Sequence, residues 1–376
     1  MNEWKEYALG DLLEYEQPTA YIVESTDYND KYETPVLTAG KTFILGYTNE
    51  KQGIYDALPV IIFDDFTTTS QYVNFKFKVK SSAMKILTAN AELVLPKFIF
   101  YRMQIIKFDA STHKRYWIQH YSKIKVKIPL ISEQERIVSR IEELFSQLDT
   151  SVAELKTAKE RLKVYRQAVL KDAFSSLDGN IERTISSVCE NIVDCPHSTP
   201  KWTQSGKLCL RTTNFKPGYL DLSEKNYVSE ETFRERITRL VPKPGDVLFS
   251  REGAILGIAC IIPDGLDICM GQRMMLLRTS KDLLNKYLMY YLNSPKARTL
   301  IIENIGGTAS PHINVKDIKQ FIIPIVPLIQ QQAVVAEIEF RLSVCDNIER
   351  TVDTALQQAE VLRQSILKKA FEGRLV

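Results

Sequence analysis

One segment of this 376-residue chain occurs twice. Residues 164–174 read Val-Tyr-Arg-Gln-Ala-Val-Leu-Lys-Asp-Ala-Phe and residues 361–371 read Val-Leu-Arg-Gln-Ser-Ile-Leu-Lys-Lys-Ala-Phe, at an offset of 197 residues. The same offset relates Asp149 to Asp346. Both copies have the apolar spacing of a long amphipathic helix, and each follows a dissimilar stretch of mixed character. The chain is therefore expected to contain two different heads, each followed by a similar helix.

Both predicted helices carry a seven-residue repeat of apolar side chains. The first begins at Ser132, with Glu135 as its capping-box partner, and ends before Asp178-Gly179-Asn180. Apolar residues at this spacing predict a coiled coil. The predicted seam consists of Ile141, Leu148, Leu155, Leu162, Val169, Ile338, Cys345, Val352, Ala359 and Ile366. The companion seam position holds Leu144, Ala158, Tyr165, Ile348, Ala355 and Leu362.

Polar residues interrupt these seams, which favours pairing within one chain. Ser151, Asp172, Arg341 and Lys369 would weaken a long uniform dimer of helices. We expect instead that the two helices of one chain form an antiparallel coiled coil, with the heads at opposite ends and related by a pseudo-twofold axis. The alternative is two separate helices, each of which covers its own head.

The predicted fold class is α+β, with two mixed α/β domains separated by the two long helices. The predicted domains are a first head at residues 1–130, a long helix at 131–177, a second head at 178–327 and a second long helix at 328–376. No apolar run reaches the ~18 to 20 residues needed to span a bilayer, and the first residues lack the apolar stretch of a signal peptide. These features predict a soluble cytoplasmic protein.

The cysteines and histidines do not form a recognisable metal site. All six cysteines lie in the second half of the chain, and none forms a Cys-x-x-Cys pair. Cys195 and His197 are close in sequence, but the regular ligand spacing of a zinc site is missing. We therefore predict ordinary thiols in a reducing compartment and no bound metal.

The net charge of +3 conceals basic stretches in the first head. Alternating residues from Val73 to Lys80 predict a strand whose basic face either follows DNA phosphates or is an ordinary solvated sheet face. The uncharged loop from Thr67 to Gln71 offers the donors and acceptors that base edges require, or is a plain hairpin turn. Residues 111–117 combine basic, aromatic and hydroxyl groups. The candidate DNA contacts of this head are Thr67, Thr68, Thr69, Gln71, Lys76, Lys78, Lys114, Arg115 and Tyr116.

Polar loops of the second head combine arginine with glutamine or asparagine. These side chains recognise guanine and adenine in the major groove. Each segment alone is a weak signal, and their restriction to the heads strengthens the interpretation. The candidate DNA contacts of this head are Arg211, Thr212, Asn214, Ser250, Arg251, Gln272, Arg273, Ser310 and His312.

Recognisable catalytic motifs are missing from the sequence. There is no Walker lysine loop, no tetrapeptide of the amino-methyltransferase type and no nuclease core motif. The glycines at 253 and 257 favour a turn over a cofactor loop, because the Gly-x-Gly-x-x-Gly spacing is missing. We therefore predict a DNA-binding protein without catalysis of its own. The alternatives are a coiled-coil scaffold without DNA specificity and a free-standing nuclease or methyltransferase with an unrecognised site.

Residues 128–138 read Ile-Pro-Leu-Ile-Ser-Glu-Gln-Glu-Arg-Ile-Val where the first helix begins, and a second copy lies at residues 327–335. Both helices end in the pattern Arg-Gln-x-(Ile/Val)-Leu-Lys-x-Ala-Phe. These segments resemble the Pro-Leu-x-Glu-Gln-x-x-Ile-Val entry and the helix-end signature of the specificity subunit (HsdS) of type I restriction–modification systems. In that family glutamate is usual at the position of Gln330. The resemblance covers nearly the whole chain, and two copies in register make it specific.

This resemblance implies a division of labour among several subunits. Each head would be a target recognition domain that binds one half of a bipartite site in double-stranded DNA. The helices would act as a ruler between the half-sites and dock two methyltransferase subunits, which bind S-adenosylmethionine and methylate adenine N6. Restriction and translocase subunits, which use ATP and Mg²⁺, would join for cleavage. The chain itself would bind no cofactor.

Overall fold

The computed structural model describes residues 4–40, 42–109, 115–175, 177, 180–306 and 311–375. Contacts divide the chain into two compact units. Unit 1 comprises Met1–Leu155 and Thr354–Val376, and unit 2 comprises Lys156–Asp353. Each unit therefore combines one head with a part of each long helix, and both long helices pass from one unit into the other.

The first half of the chain folds into short strands followed by one long helix. In chain order, its elements are β1 (Lys5–Ala8), α1 (Leu9–Leu12), β2 (Leu13–Glu16), β3 (Thr34–Leu37), β4 (Ile44–Thr48), β5 (Val60–Asp64), β6 (Ser70–Val73), β7 (Lys78–Val79), β8 (Met84–Ala89), α2 (Pro96–Met103), β9 (Lys125–Ile128) and α3 (Ile131–Ser175).

The second half follows the same order with additional short elements. They are β10 (Ile181–Thr184), α4 (Ile185–Val188), β11 (Cys189–Asp194), β12 (Trp202–Thr203), β13 (Lys207–Leu210), β14 (Phe215–Lys216), β15 (Tyr219–Leu220), β16 (Tyr227–Val228), α5 (Glu230–Arg236), β17 (Val247–Ser250), β18 (Ala259–Ile261), β19 (Ile268–Met270), β20 (Met274–Thr279), α6 (Asn285–Leu292), α7 (Pro295–Glu303), α8 (Val315–Lys319), β21 (Ile322–Ile325) and α9 (Leu328–Phe371).

The two heads share a sheet plan that their sequences do not reveal. Unit 1 has an antiparallel four-stranded sheet in the order β2-β8-β5-β6, and unit 2 has one in the order β11-β20-β17-β18. In each unit a parallel pair lies in a second sheet, β3 with β7 and β13 with β19. The central strands β5 and β17 are buried, as expected for strands covered on both faces.

One predicted strand of the first head is wrong in its extent. The alternation from Val73 to Lys80 predicted a single strand with a basic face, but β6 ends at Val73 and β7 contains only Lys78 and Val79. These two strands belong to different sheets. The period-two pattern therefore arises from two short pieces of extended chain, and the lysines do not share one exposed face.

The two long helices pair with each other in an antiparallel direction. In unit 2, Lys159 lies 2.7 Å from Asp353 and Arg166 lies 2.7 Å from Asp346. Residue numbers therefore increase along α3 while those of their partners decrease along α9. In unit 1, Arg363 forms an ion pair with Asp149. The pairs Arg166–Asp346 and Arg363–Asp149 are related by the 197-residue offset. The predicted intramolecular coiled coil is confirmed, and the alternative of two separate helices is wrong.

The acidic partners of Arg166 raise the pKa of its guanidinium. Burial alone would lower the pKa of the Arg166 guanidinium, but hydrogen bonds and ion pairs with Asp346 and Glu349 raise it. The signature arginine of each helix therefore contacts an acidic residue of the other helix.

The predicted seam is more buried than its companion position. Ile141, Ile338 and Cys345 are almost fully buried, and the remaining seam residues are buried or half-buried. At the companion position, Leu144, Ala158 and Ala355 are half-buried, whereas Tyr165, Ile348 and Leu362 keep 48%, 43% and 49% of their surface exposed. A pair of helices buries only the narrow stripe between them, and these three side chains lie at its margin.

A buried glutamine fixes the first turn of each long helix to its head. Gln134 accepts a hydrogen bond from the Leu95 backbone N–H at 2.8 Å and donates to the Leu93 and Pro129 carbonyls. Gln331 accepts from the Leu284 N–H at 2.9 Å and donates to the Asp282 and Val326 carbonyls. Since Gln134 and Gln331 are 197 residues apart, the repeated sequence encodes a repeated contact.

A repeated phenylalanine closes each head at the far end of a helix. Phe371 packs its ring 5.2 Å from that of Phe98 on α2 in unit 1. Phe174 packs 5.1 Å from the ring of Tyr287 and 5.3 Å from that of Tyr291 on α6 in unit 2. Each head is thus covered by the C-terminal end of the helix that begins in the other unit.

All six cysteines are free thiols, and five of them are buried. Burial raises the pKa of the Cys189 thiol to about 12. Among the helices that the structure describes, none combines the length and the apolar character required to cross a membrane.

Candidate nucleic-acid interface

The threonine loop of unit 1 is a tight turn between β5 and β6. The Asp64 side chain accepts hydrogen bonds from the Phe66 and Thr67 N–H groups, both at 2.9 Å. Thr68 has a φ of +58°, a conformation that β-branched residues rarely adopt. Strained backbone of this kind clusters at ligand-binding sites. The turn leaves the Thr67 and Thr69 hydroxyl groups at the surface.

Asp65 joins this turn to the segment that follows residue 114. Its carbonyl accepts a hydrogen bond from the Tyr116 N–H at 2.9 Å, and its side chain accepts one from the Trp117 N–H at 2.7 Å. Arg115 directly precedes these residues and is exposed. The structure therefore brings Arg115 and the threonine turn, which are far apart in sequence, to the same end of the sheet.

Two predicted contacts of unit 1 face the protein interior. Lys78 is 3% exposed, lies 2.8 Å from Glu50 and donates to the Gln52 carbonyl at 2.7 Å. Burial alone would raise the pKa of Glu50, but hydrogen bonds from Lys78 and two backbone N–H groups lower it. Tyr116 is also buried. Both side chains are poorly placed to reach DNA.

The remaining candidates of unit 1 differ in their surroundings. Lys76 is exposed, with its amino group 3.5 Å from Asp56, and Gln71 is half-buried on β6. Lys114 lies outside the described residues. Thr67, Thr69, Lys76 and Arg115 are thus the exposed candidates of this unit.

In unit 2, the ends of two parallel strands bring three candidates together. Arg211 follows β13, while Gln272 and Arg273 follow β19, and the Gly271 N–H donates to the Leu210 carbonyl at 2.9 Å. A Cβ at Gly271 would lie 2.2 Å from that carbonyl oxygen, so only glycine allows this approach. Arg211 and Arg273 are exposed, and Gln272 is half-buried.

Arg273 has the second strained backbone of the described residues. Its φ is +69°, and Thr68 and Arg273 are the only non-glycine residues with positive φ in the part of the chain that the structure describes. The Arg273 guanidinium lies 3.7 Å from Glu252, which forms an isolated bridge with His312. Loops of both units are predicted from the sequence to contact DNA, and Thr68 and Arg273 lie in two of these loops.

Two exposed side chains at this end of unit 2 were not among the candidates. Trp202 packs its ring 5.4 Å from the guanidinium of Arg211. The His197 carbonyl accepts a hydrogen bond from the Gln272 side chain at 2.6 Å, and its imidazole lies 3.2 Å from Asp194. An isolated tryptophan or histidine gives no sequence signal for such a position, because the contacts that place it are long-range.

Several predicted DNA contacts of unit 2 are instead buried or bonded within the protein. Ser250 is fully buried, and Arg251 is 7% exposed and binds both carboxylate oxygens of Asp194. Asn214 is buried and caps its own turn by accepting from the Arg211 N–H at 2.9 Å. Thr212 is half-buried in this turn, and Ser310 lies outside the described residues. The surface candidates are therefore Arg211, Gln272, Arg273 and the half-buried His312.

No group of three or more histidine, cysteine or acidic side chains within the described ranges is arranged to hold a metal ion. The predicted contacts at these sites present hydroxyl, amide and guanidinium groups. Such groups form hydrogen bonds with base edges and phosphates.

Comparison with known proteins identifies the family. The family model described as "Type I restriction modification DNA specificity domain" matches residues 1–160 and 203–358. The chain belongs to this family. The type I specificity subunit of EcoR124I/EcoR124II from Escherichia coli is 32% identical over 381 residues, which cover 96% of this chain and 91% of that protein. The EcoKI specificity subunit of Escherichia coli K12 is 26% identical over 276 residues, covering 68% and 58%.

Solved structures show the same fold as this specificity subunit. A chain from a study of complex assembly and conformational transition in the type I R-M system has a TM-score of 0.72 at 20% identity, covering 100% of this chain and 99% of that chain. The HsdS subunit from Thermoanaerobacter tengcongensis has a TM-score of 0.55 at 19% identity, covering 100% and 98%. The predicted family, fold class and role in DNA recognition through two domains are confirmed.

Proposed function

We propose that each unit of this specificity subunit binds one half of a bipartite DNA site through loops at the ends of its sheet strands. The observation that carries this proposal is the clustering, in both units, of exposed polar side chains from distant segments where sheet strands end. In unit 1 the cluster contains Thr67, Thr69 and Arg115. In unit 2 it contains Arg211 and Arg273, with Gln272 beside them.

The side chains of the two clusters suit different half-sites. A hydroxyl group forms hydrogen bonds with several kinds of base. An arginine instead forms two hydrogen bonds to guanine, and a glutamine forms two to adenine. Lysines such as Lys76 contribute phosphate contacts, which set register and salt dependence without sequence preference. The two halves of the site are therefore expected to differ in sequence.

The chemistry of methylation and cleavage belongs to partner subunits in this proposal. The methyltransferase subunits would bind S-adenosylmethionine and flip the target adenine, and the restriction subunits would bind ATP and Mg²⁺. The sequence of this chain has no motif for these ligands. The isolated subunit, which we place in the cytoplasm, is expected to show no methylation or cleavage of DNA.

An exposed apolar stripe supports docking of the methyltransferase subunits on the long helices. Along α9, residues at spacings of three and four are apolar and exposed over about 28 Å. The stripe consists of Ile329, Ala333, Ala336, Phe340, Val344 and Ile348. The exposed fraction is 66% for Phe340 and 72% for Ile329. Exposed apolar surface of this extent is typical of protein interfaces.

The paired helices are proposed to set the distance between the half-sites. Insertion of one heptad at matched positions of α3 and α9 adds about 10 Å of helix, which corresponds to about three base pairs at 3.4 Å each. Methylome sequencing of a host that carries the variant system should show the two half-sites unchanged and the spacer about three base pairs longer. An unchanged spacer would reject the role as a ruler.

The scaffold alternative is tested with the same assembly. The subunit bound to its methyltransferase partners should bind its own site at low salt and lose affinity steeply as salt increases. A scaffold without DNA specificity would bind the cognate and scrambled duplexes equally. Turnover by the isolated chain would instead support the alternative of an unrecognised catalytic site.

A further inference from the structure

Each unit contains a buried ion pair at the end of its central sheet strand, beside the proposed DNA-binding cluster. In unit 1, Asp65 follows β5 and lies 3.4 Å from Lys85 on β8. In unit 2, Arg251 follows β17 and binds Asp194 at the end of β11 through bonds of 2.8 and 2.9 Å. Asp65, Lys85 and Arg251 keep 2%, 1% and 7% of their surface.

The Asp65 pair lies between the two proposed DNA-binding segments of unit 1. All four polar groups of Asp65 are engaged: its N–H donates to the Ala83 carbonyl, its carbonyl accepts from Tyr116, one carboxylate oxygen accepts from Trp117 and the other contacts Lys85. The threonine turn begins two residues after Asp65, and Arg115 directly precedes Tyr116. The Asp65 side chain therefore holds the segment at Trp117, while its backbone holds Tyr116 and leads directly into the threonine turn.

Arg251 occupies the corresponding place in unit 2: its backbone joins two loops, and its side chain binds Asp194, whose carboxylate also lies 3.2 Å from the His197 imidazole. The Arg251 N–H donates to the Arg273 carbonyl at 3.0 Å, and the Arg251 carbonyl accepts from the Ile313 N–H at 2.9 Å. Arg273 and His312 are thus attached on either side of Arg251. The acid follows the central strand in unit 1, whereas the base follows it in unit 2, and their partners come from different strands, Lys85 from β8 and Asp194 from β11.

We infer that the buried polar side chains of these two pairs are positioning residues that determine the specificity of each unit for its own half-site through the bonds they form. A buried ion pair adds little net stability, because the desolvation of both charges offsets their attraction. Its directional bonds instead restrict the loops it holds to one arrangement. The inference rests on the proposed function, since it assigns a role within the DNA-reading surface of each unit.

Two double variants separate the hydrogen bond to Trp117 from the charges. Asp65→Asn with Lys85→Met removes both charges but keeps an acceptor for the Trp117 N–H. Asp65→Leu with Lys85→Met removes the charges and the acceptor. Both variants avoid an unpaired buried charge, which is the principal threat to folding. Thermal unfolding of each variant verifies that the chain is folded.

Four duplexes report on the half-sites separately. The complete complex with methyltransferase subunits is titrated with the cognate site, with each half-site scrambled in turn and with both scrambled. We expect Asp65→Leu/Lys85→Met to reduce discrimination at one half-site by at least about tenfold, the value of one lost base contact, and to leave the other half-site unchanged. Asp65→Asn/Lys85→Met should retain discrimination at both.

The reciprocal variant in unit 2 completes the test. Asp194→Leu with Arg251→Met should reduce discrimination at the other half-site alone. Unchanged discrimination in both Leu/Met variants, or equal loss at both half-sites in either one, would overturn the inference. A wild-type complex that binds all four duplexes equally would instead reject the proposed function itself.

Discussion

The two long helices are alike on their inner faces and unlike on their outer faces. Inside, Gln134 corresponds to Gln331, Phe174 to Phe371, and the pair Arg166–Asp346 to Arg363–Asp149. Outside, the apolar stripe of α9 corresponds to polar residues on α3. These counterparts, all exposed, are Ser132, Arg136, Ser139, Glu143, Gln147 and Ser151.

The two helices therefore share their inner contacts and differ in the residues of their outer faces. Inner contacts hold each head on its helices, so both copies retain them. The residues of the outer face are exposed in both copies, and there one copy is apolar and the other is polar. The two docking positions proposed for methyltransferase subunits are consequently not equivalent, and the one on α9 has more apolar surface to bury.

The largest expected effect concerns the buried glutamines. Gln134→Ala and Gln331→Ala each leave one N–H and two carbonyls without their partner, so each should lower the free energy of unfolding by about 3 kcal/mol. Urea denaturation followed by circular dichroism measures both. Gln332→Ala, at an exposed neighbour on α9, is the control and should change little. A large loss of unfolding free energy at only one of the two positions would contradict the equivalence of the inner faces.

A smaller effect is expected for the outer face of α9. Phe340→Glu places a charge in the apolar stripe and should weaken binding of the methyltransferase subunit about 30-fold, or about 2 kcal/mol. Titration calorimetry with the purified partner measures this change. Glu143→Ala, at the corresponding position of α3, should change affinity much less. Equal effects of the two substitutions would contradict the proposed asymmetry.

The smallest effect is expected for the paired arginines. The side chains of Arg166 and Arg363 remain 27% and 30% exposed, so solvent screens their ion pairs. Arg166→Met and Arg363→Met should each cost about 1 kcal/mol or less, and the cost should shrink as salt increases. Thermal unfolding at two salt concentrations measures it. A cost that is independent of salt would indicate that packing of the arginine stem dominates.

The helices and their pairing were predictable because the signal is local and periodic. The seven-residue spacing identified ten helix positions from Ile141 to Ile366 that are all buried or half-buried. The exposure of Tyr165, Ile348 and Leu362 at the companion position was not predictable, because the spacing alone does not tell how many helices cover a seam. A larger bundle would have buried these residues, whereas a pair leaves them at the margin.

The candidate site was less predictable because it depends on long-range contacts. The polar loops were nominated from composition, and the structure places Arg115, Arg211 and Arg273 at the surface. Composition could not show that Lys78 and Arg251 face inward, since their partners Glu50 and Asp194 lie 28 and 57 residues away. For the same reason the sequence did not indicate a role for Asp65, although this residue connects two of the segments predicted to contact DNA.

The division of unit 1 into two stretches of chain has a consequence for synthesis. Unit 2 is continuous from Lys156 to Asp353, whereas unit 1 also needs Thr354–Val376. Domains fold as their residues leave the ribosome, generally from the N-terminus onward. Here unit 1 needs residues up to Val376, which are made after Asp353, the last residue of unit 2, so the head that is translated first is the last to have all its residues.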